Sequence, residues 1–354
     1  MAFPPRRALC APDKFRGTLS APEAAAALAA GARAAGVEHA VELPLADGGE
    51  GTLDALLAAR GGERRTASVT GPLGGTVEAA WGLLPDGTAV VELAQASGLA
   101  LVAGRNDPVA ATTRGVGELI LVAAAEGARA VLLGVGGSAT TDGGLGAAEA
   151  LGWRLPLPVV VACDVATPFL EAARVYGPQK GASPEQVELL GRRLASLAAR
   201  YRAATGIDVT ALPGGGAAGG SAGGLAALGA ELRPGFAVVA GAAGFEAELA
   251  RADAVLTGEG RLDGTSLAGK VVGEVLRAAE QRGMPAGVVA GDVAAGVVGE
   301  LPGGARVVSL TQLAGSEEEA RARARELAER AAALLTARLG SRRRARPAGS
   351  GGVV

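Results

Sequence analysis

A chain of 354 residues exceeds what one ordinary core fills and suits two α/β domains with a cleft between them. A formal net charge of −2 supplies no positive field for nucleic acid or an anionic membrane, and aromatics at 3% leave few rings on which bases could stack, so a small-molecule partner is favoured. The two cysteines, Cys10 and Cys163, lie far apart with no Cys or His in metal-ligand spacing, which excludes a disulfide framework and a structural zinc site.

At the N-terminus, MAFPPRRALCAPD has no apolar run of signal-peptide length, and nowhere do about 18 apolar residues run uninterrupted, so a cytoplasmic location is expected. The first predicted strand, Ala8–Ala11, leads through a polar turn to a helix capped by Ser20 and running to Ala35. A second strand, Val41–Leu45, leads to a helix from Gly49 to Arg60. From Arg64 the pattern changes to short alternating stretches, Thr76–Leu84 and Ala89–Leu93, joined by the hairpin turn Pro85-Asp86-Gly87-Thr88. The parallel pattern then resumes: helix Thr112–Glu126, strand Ala130–Val135, helix Gly143–Leu151, strand Pro158–Cys163 and helix Ser183–Thr205, with Pro184 in its first turn. Leu212–Gly229, dense in Gly and Ala, reads as loop then helix. Strands Ala254–Leu256, Ala286–Val289 and Arg306–Leu310 alternate with helices Ser266–Arg282 and Ser316–Leu339, and a basic tail, 340–354, is expected to be disordered. This order predicts an α/β protein of two α/β domains around a cleft. One, 1–68 plus 251–339, is Rossmann- or flavodoxin-like with a mainly parallel sheet, and the other, 69–250, is mixed.

Four segments put glycine and a carboxylate where a strand gives way to a turn, which is where open α/β sheets bind ligands. CAPDKFRGTLS carries Asp13, Lys14 and Arg16 out of the first strand. PLADGGEG sets Asp47 and Glu50 about Gly48 and Gly49, leaving bare N–H groups beside two carboxylates. GVGGSATTDGG follows the strand AVLL; Gly136 and Gly137 let backbone approach an anion, Ser138, Thr140 and Thr141 offer hydroxyls, and Asp142 could hold Mg²⁺ or a substrate hydroxyl. TGEGRLD brings Glu259, Arg261 and Asp263 out of a later strand.

Two glycine patterns are decoys. Gly264–Lys270 spells G-x-x-x-x-G-K, but Val271 stands where a phosphate-binding loop needs a hydroxyl, although Lys270 could still meet phosphate. Gly214, Gly216 and Gly219 match G-x-G-x-x-G without a preceding strand, which leaves a dehydrogenase reading weak. His39 is the only histidine, so a Ser/His/Asp triad and a multi-His metal site are excluded and a general base must be Asp, Glu or Lys. Phosphoryl transfer fits that inventory: carboxylates for Mg²⁺, cations for phosphates and one Asp to take a hydroxyl proton.

Taken together, APDKFRGTLS, ADGGEGT, VTGPLG, VELAQASGL, TTRGVGELI, GVGGSATTDGG, ACDV, YGPQKGA, PGGGAAGG and LTGEGRLDGTSLAGK stand in the order that resembles the bacterial glycerate kinase family, from about Ala11 to Gly291. The resemblance implies two α/β domains around a cleft, ATP and Mg²⁺ as cofactors, D-glycerate as substrate and a monomer or homodimer. Asp13, Asp47, Glu50, Ser138, Asp142, Asp164, Gln179, Lys180, Glu259, Arg261, Asp263 and Lys270 match family motif positions. The roles inferred are Asp47 or Asp142 as base at the glycerate hydroxyl, Asp164 and Glu259 on metal, and Lys180, Arg261 and Lys270 on carboxylate or phosphate. Arg16 stands where many members have Lys, and two stretches, Trp153–Pro158 and the segment between Asp164 and Tyr176, are shorter than is usual. The product expected is 2-phosphoglycerate, with 3-phosphoglycerate as the other isomer. The rival readings are a kinase of another small hydroxy acid and a non-catalytic relative that senses sugar acids or nucleotides.

Overall fold

The computed structural model describes residues 4–102 and 104–339; the expected disordered tail lies outside them. In chain order, β1 (Arg7–Cys10) and β2 (His39–Glu42) begin one sheet. A second sheet takes β3 (Glu63–Thr70), β4 (Thr76–Leu83), β5 (Thr88–Glu92), β6 (Ala130–Gly134), β7 (Val159–Ala162) and β8 (Glu231–Arg233). The chain then returns to the first sheet with β9 (Ala254–Leu262), β10 (Ala286–Val293) and β11 (Arg306–Ser309). The first sheet has order β11-β10-β9-β1-β2 and is parallel throughout, with Leu9 opposite Val255 and Val41. The second runs β3-β4-β5-β6-β7-β8, antiparallel across β3, β4 and β5 and parallel from β5 onward.

Central parallel strands are covered on both faces, so β1, β6 and β7 read as unbroken apolar runs and are visible in sequence. By contrast β3, ERRTASVT, is an edge strand whose charges face solvent and whose only buried residue is Val69, so alternation alone does not announce it. The chain therefore crosses to the second sheet at Gly61-Gly62, before the expected position 68. Two helices that carry little periodicity, Gly235–Ala243 and Phe245–Arg251, follow β8. The first of them packs on the helix Thr52–Arg60 and on β7.

These helices fill the space between the sheets. One apolar cluster runs from Leu9, Leu45 and Leu56 through Val239 to Val90, Leu132 and Ala162, so the sheets share core. A buried hydrogen bond from the Leu53 amide to Glu92 (2.9 Å) crosses the same boundary.

Cap chemistry explains the well-read helices. Ser20 with Glu23, and Ser183 with Gln186, form reciprocal capping boxes, and Gly206 ends the second helix in the left-handed region. Other expected helices are divided. Ser316–Leu339 breaks at Arg323 into Glu317–Ala322 and Ala324–Thr336, and Ser266–Arg282 is a tight turn, Gly264–Leu267, followed by Val271–Gln281.

Candidate active site

In the first sheet the chain goes out from β1 to β2 on one side and later comes back through β9 on the other. The crevice between the turns after β1 and β9 is thus a topological switch point. It is a cavity of about 590 Å³. The Asp13 amide donates to the Gly258 carbonyl (2.9 Å), and Phe15 is buried beneath the turn. A Cβ on Gly258 would lie 2.3 Å from the Val289 carbonyl oxygen, so only glycine admits this packing.

TGEGRLD is not a turn: β9 continues to Leu262 and β10 to Val293, pairing Glu259 with Ala290 and Arg261 with Asp292. Period two then places Glu259 and Arg261 on one face, and both line the cavity. Asp263 follows, capping the turn that leads to Lys270.

The electrostatics are those of crowded carboxyls held among cations. Burial, chiefly, pushes Asp13 up to about 6; Asp47 adds to the rise, and Lys14 and Lys270 oppose it. Glu259 is pushed up to about 7, again by burial first, with Asp13 reinforcing, and its Oε1 is buried with no hydrogen-bond partner. Lys14 donates to the Glu50 carbonyl, Lys270 to Thr265 Oγ1 (3.0 Å), and Arg261 stands 4.0 Å from Asp263. Arg16 is exposed and has no ion-pair partner among the described residues.

A second cavity of about 440 Å³ lies beyond the C-terminal ends of β6 and β7. Its floor is backbone. The turn of Gly48 and Gly49 lies directly on the turn of Gly134 to Gly137. A Cβ on Gly136 would sit 2.6 Å from the Gly49 Cα, and one on Gly134 would sit 2.5 Å from the Gly48 carbonyl oxygen. Around this floor stand Gly137, Ser138, Asp164, Gln179 and Lys180. Ser138 Oγ lies 3.0 Å from Thr140 Oγ1. Asp164 accepts from the Gly235 amide (2.6 Å) and is pushed up to about 6, by burial first and by Asp47. Lys180 is buried, donates to the Thr140 carbonyl, and is pulled down to about 8 by burial, the Asp142 charge opposing.

The two cavities meet. Arg16 and Asp47 line both, and of Asp47 only Oδ1 is engaged, by the Gly49 amide at 3.1 Å.

Four expected site residues, Asp142, Thr140, Thr141 and Glu50, line neither cavity. Asp142 is sealed inside: its carboxylate accepts from the Thr113 amide and hydroxyl (both 2.8 Å) and from the amides of Gly144 (3.0 Å) and Gly146 (3.2 Å). Burial raises its pKa against those four donors. Thr140 is buried and contributes its carbonyl to Lys180, and Glu50 is exposed with only its carbonyl engaged. The two expected metal residues are separated, Glu259 on the larger cavity and Asp164 on the smaller. No cluster of three or more His, Cys, Asp or Glu side chains suited to a metal occurs among the described residues. Gly214, Gly216 and Gly219 do not follow a strand; a Cβ on Gly219 would meet the Thr140 carbonyl oxygen at 2.0 Å, which makes them packing residues.

Sequence reasoning missed Asp292, near the end of β10, and Thr311, just past β11, which line the larger cavity, and Tyr176 on the smaller one. The rule that picked Asp13 would have found Asp292, a carboxylate at the end of a parallel strand. Of the two shortened stretches, Trp153–Pro158 reaches neither cavity and is pinned where Arg200 stacks 4.5 Å over Trp153, while Val165 and Tyr176 from the other form wall.

A model of the glycerate kinase family matches residues 8–158 and 156–339. The chain belongs to the glycerate kinase family. Relatives of this glycerate kinase family member include a protein named glycerate 2-kinase from Escherichia coli, 41% identical over 80% of this chain and 84% of the other. A glycerate kinase from Halalkalibacterium halodurans is 40% identical over 81% and 85%. A crystal structure that carries the name glycerate kinase 2, from Salmonella typhimurium LT2, superposes with a TM-score of 0.81 at 36% identity, covering 94% of this chain and 98% of its own. The α/β architecture is thus that of a glycerate kinase fold, and no helix among the described residues is long and apolar enough to cross a membrane.

Proposed function

We propose that this protein transfers the γ-phosphoryl group of ATP to a hydroxyl of D-glycerate and gives 2-phosphoglycerate, with its two sheets serving as two α/β domains. The observation that carries the reading is that two cavities of different chemistry meet at one arginine and one aspartate. Phosphoryl transfer needs little beyond positioning and charge stabilisation between two bound reactants, and that arrangement supplies both.

The larger cavity suits the nucleotide. Leu310, Ala320 and Ala324 form an apolar wall for a base, and Lys14, Arg16, Arg261 and Lys270 bring cations to the phosphates. The smaller cavity suits the acid. Lys180 holds its carboxylate, the amides and Ser138 of the glycine turn hold its polar atoms, and Asp47 faces the attacking hydroxyl as base. Arg16 at the junction spans the transferred group from both sides.

The residues present also fit Mg²⁺. An orphaned buried carboxylate oxygen on Glu259, close enough to Asp13 that the Asp13 charge helps raise the Glu259 pKa, is the donor set a hard cation takes. Bound there, the ion would neutralise charge on phosphate oxygens. Asp164, on the other cavity, is better placed to orient the acid.

The 2-phosphate is supported by the Escherichia coli relative named glycerate 2-kinase. A kinase of another small hydroxy acid is a second reading, favoured by the shortened segment between Asp164 and Tyr176, whose ends border the smaller cavity. The test is to incubate purified protein with ATP, Mg²⁺ and a panel of hydroxy acids and resolve products by phosphorus NMR. Turnover of D-glycerate with a 2-phosphate resonance is expected; turnover of a different acid alone would sink the assignment.

A further inference from the structure

Asn106 lies in the connection before the helix Arg114–Ala125, outside every motif discussed above. Its Nδ2 donates to two backbone carbonyls at once, Ala139 at 3.0 Å and Lys180 at 2.9 Å, residues that are 33 and 74 positions away. Both neighbours are acceptors, so only the amide NH₂ can face them, and the orientation of the carboxamide is fixed by its surroundings. Its Oδ1 is left buried with no partner.

The consequence is a closed ring of contacts. Asn106 ties the Lys180 backbone to the carbonyl of Ala139, while the Lys180 ammonium reaches back to the carbonyl of the next residue, Thr140. Lysine and glycine-hydroxyl turn are pinned to each other at both ends of the lysine. A long flexible amine is thereby held at one place on the smaller cavity.

We infer that Asn106 is a positioning residue that sets the Lys180 ammonium for the carboxylate of the acid substrate. This rests on the proposal that the smaller cavity takes the acid. Asn106 itself need not touch substrate. Neither an aspartate nor a leucine would serve, since one faces carbonyl oxygens with negative charge and the other offers no donor.

A double-mutant cycle on the full-length protein tests it. Asn106→Ala should raise the KM for D-glycerate about tenfold, the value of two lost neutral hydrogen bonds, with the KM for ATP unchanged. In a Lys180→Ala background the same substitution should change kcat/KM by less than about twofold, because the group it positions is gone. Losses that simply multiply would overturn the inference, as would an unchanged KM for glycerate. If the alanine variant does not fold, Asn106→Ser goes through the same cycle, and failure of both to fold assigns Asn106 to stability and overturns the inference. A Lys180→Ala enzyme with normal kcat/KM for glycerate would instead remove the acid-site reading on which the inference stands.

Discussion

Two aspartates, Asp47 and Asp142, sit in turns that look alike in sequence: each follows a strand, is followed by two glycines and leads into a helix. The structure gives them opposite circumstances. Asp47 is half-buried where two cavities meet and uses one oxygen on one amide. Asp142 is enclosed and spends its carboxylate on four donors that fasten the glycine turn to Thr113. An Asp-Gly-Gly motif says that a carboxylate is needed at a turn. Whether it is needed for chemistry or for the turn depends on how many donors face it, and the two that set Asp142 apart, the Thr113 amide and hydroxyl, come from elsewhere in the chain.

The largest effect that can break this contrast is at Asp47. Asp47→Asn keeps the shape and removes the proton acceptor, so kcat should fall roughly 10²–10⁴-fold with both substrate KM values within a fewfold of wild type. A near-normal kcat would end its assignment as base. Asp142→Asn should do something different: an amide NH₂ would face N–H donors, and the variant should lose about 3 kcal/mol of stability, read in denaturant melts. Selective loss of kcat without loss of stability would instead return Asp142 to the chemistry.

The same contrast extends to the cavities around the two residues. The larger one is lined by charged side chains from strand ends and the smaller by glycine backbone with one buried lysine. Glu259 is the sharpest probe of the first. Glu259→Gln should leave the metal-free protein at least as stable, since it removes a buried charge. It should also abolish the rise in melting temperature expected of wild type with Mg²⁺, a rise of roughly 2–5 °C at saturating ion. An equal rise in the variant would exclude Glu259 as a ligand.

How legible all this was follows from the same physics. Strands buried on both faces announce themselves, which is why β1, β6, β7 and the start of β9 could be read directly. The edge strands β3 and β8 could not, because half their residues meet water. The extension of β9 through Glu259 and Arg261 was hidden by its glycines, which read as a turn but are there so that Phe15 and the neighbouring strand can approach. Most cavity-lining charged residues were found because they follow parallel strands. Arg16 and Asp47 were found too, yet that they share a junction is a tertiary fact with no local signal. Asn106 left no trace, since a side chain that grips two distant carbonyls obeys no spacing rule.

The finest test uses pH and the difference between the cavities. Lys180 has a pKa pulled from 10.5 down to about 8 by burial, with the Asp142 charge acting to raise it. An acid held by its ammonium needs the protonated form. Below about pH 8 that form dominates in free enzyme and the KM for D-glycerate should be flat. Above it the competent fraction falls from about one half at pH 8 to about one eleventh at pH 9, so KM should climb roughly fivefold over that unit and about tenfold for each unit beyond. The KM for ATP should not follow, because Lys180 lines the smaller cavity and not the larger one. In Lys180→Arg the alkaline rise should vanish even if the baseline KM is worse. A rise that persists there would mean that another group sets it, and the distinction between an acid cavity held by one lysine and a nucleotide cavity held by several cations would have to be redrawn.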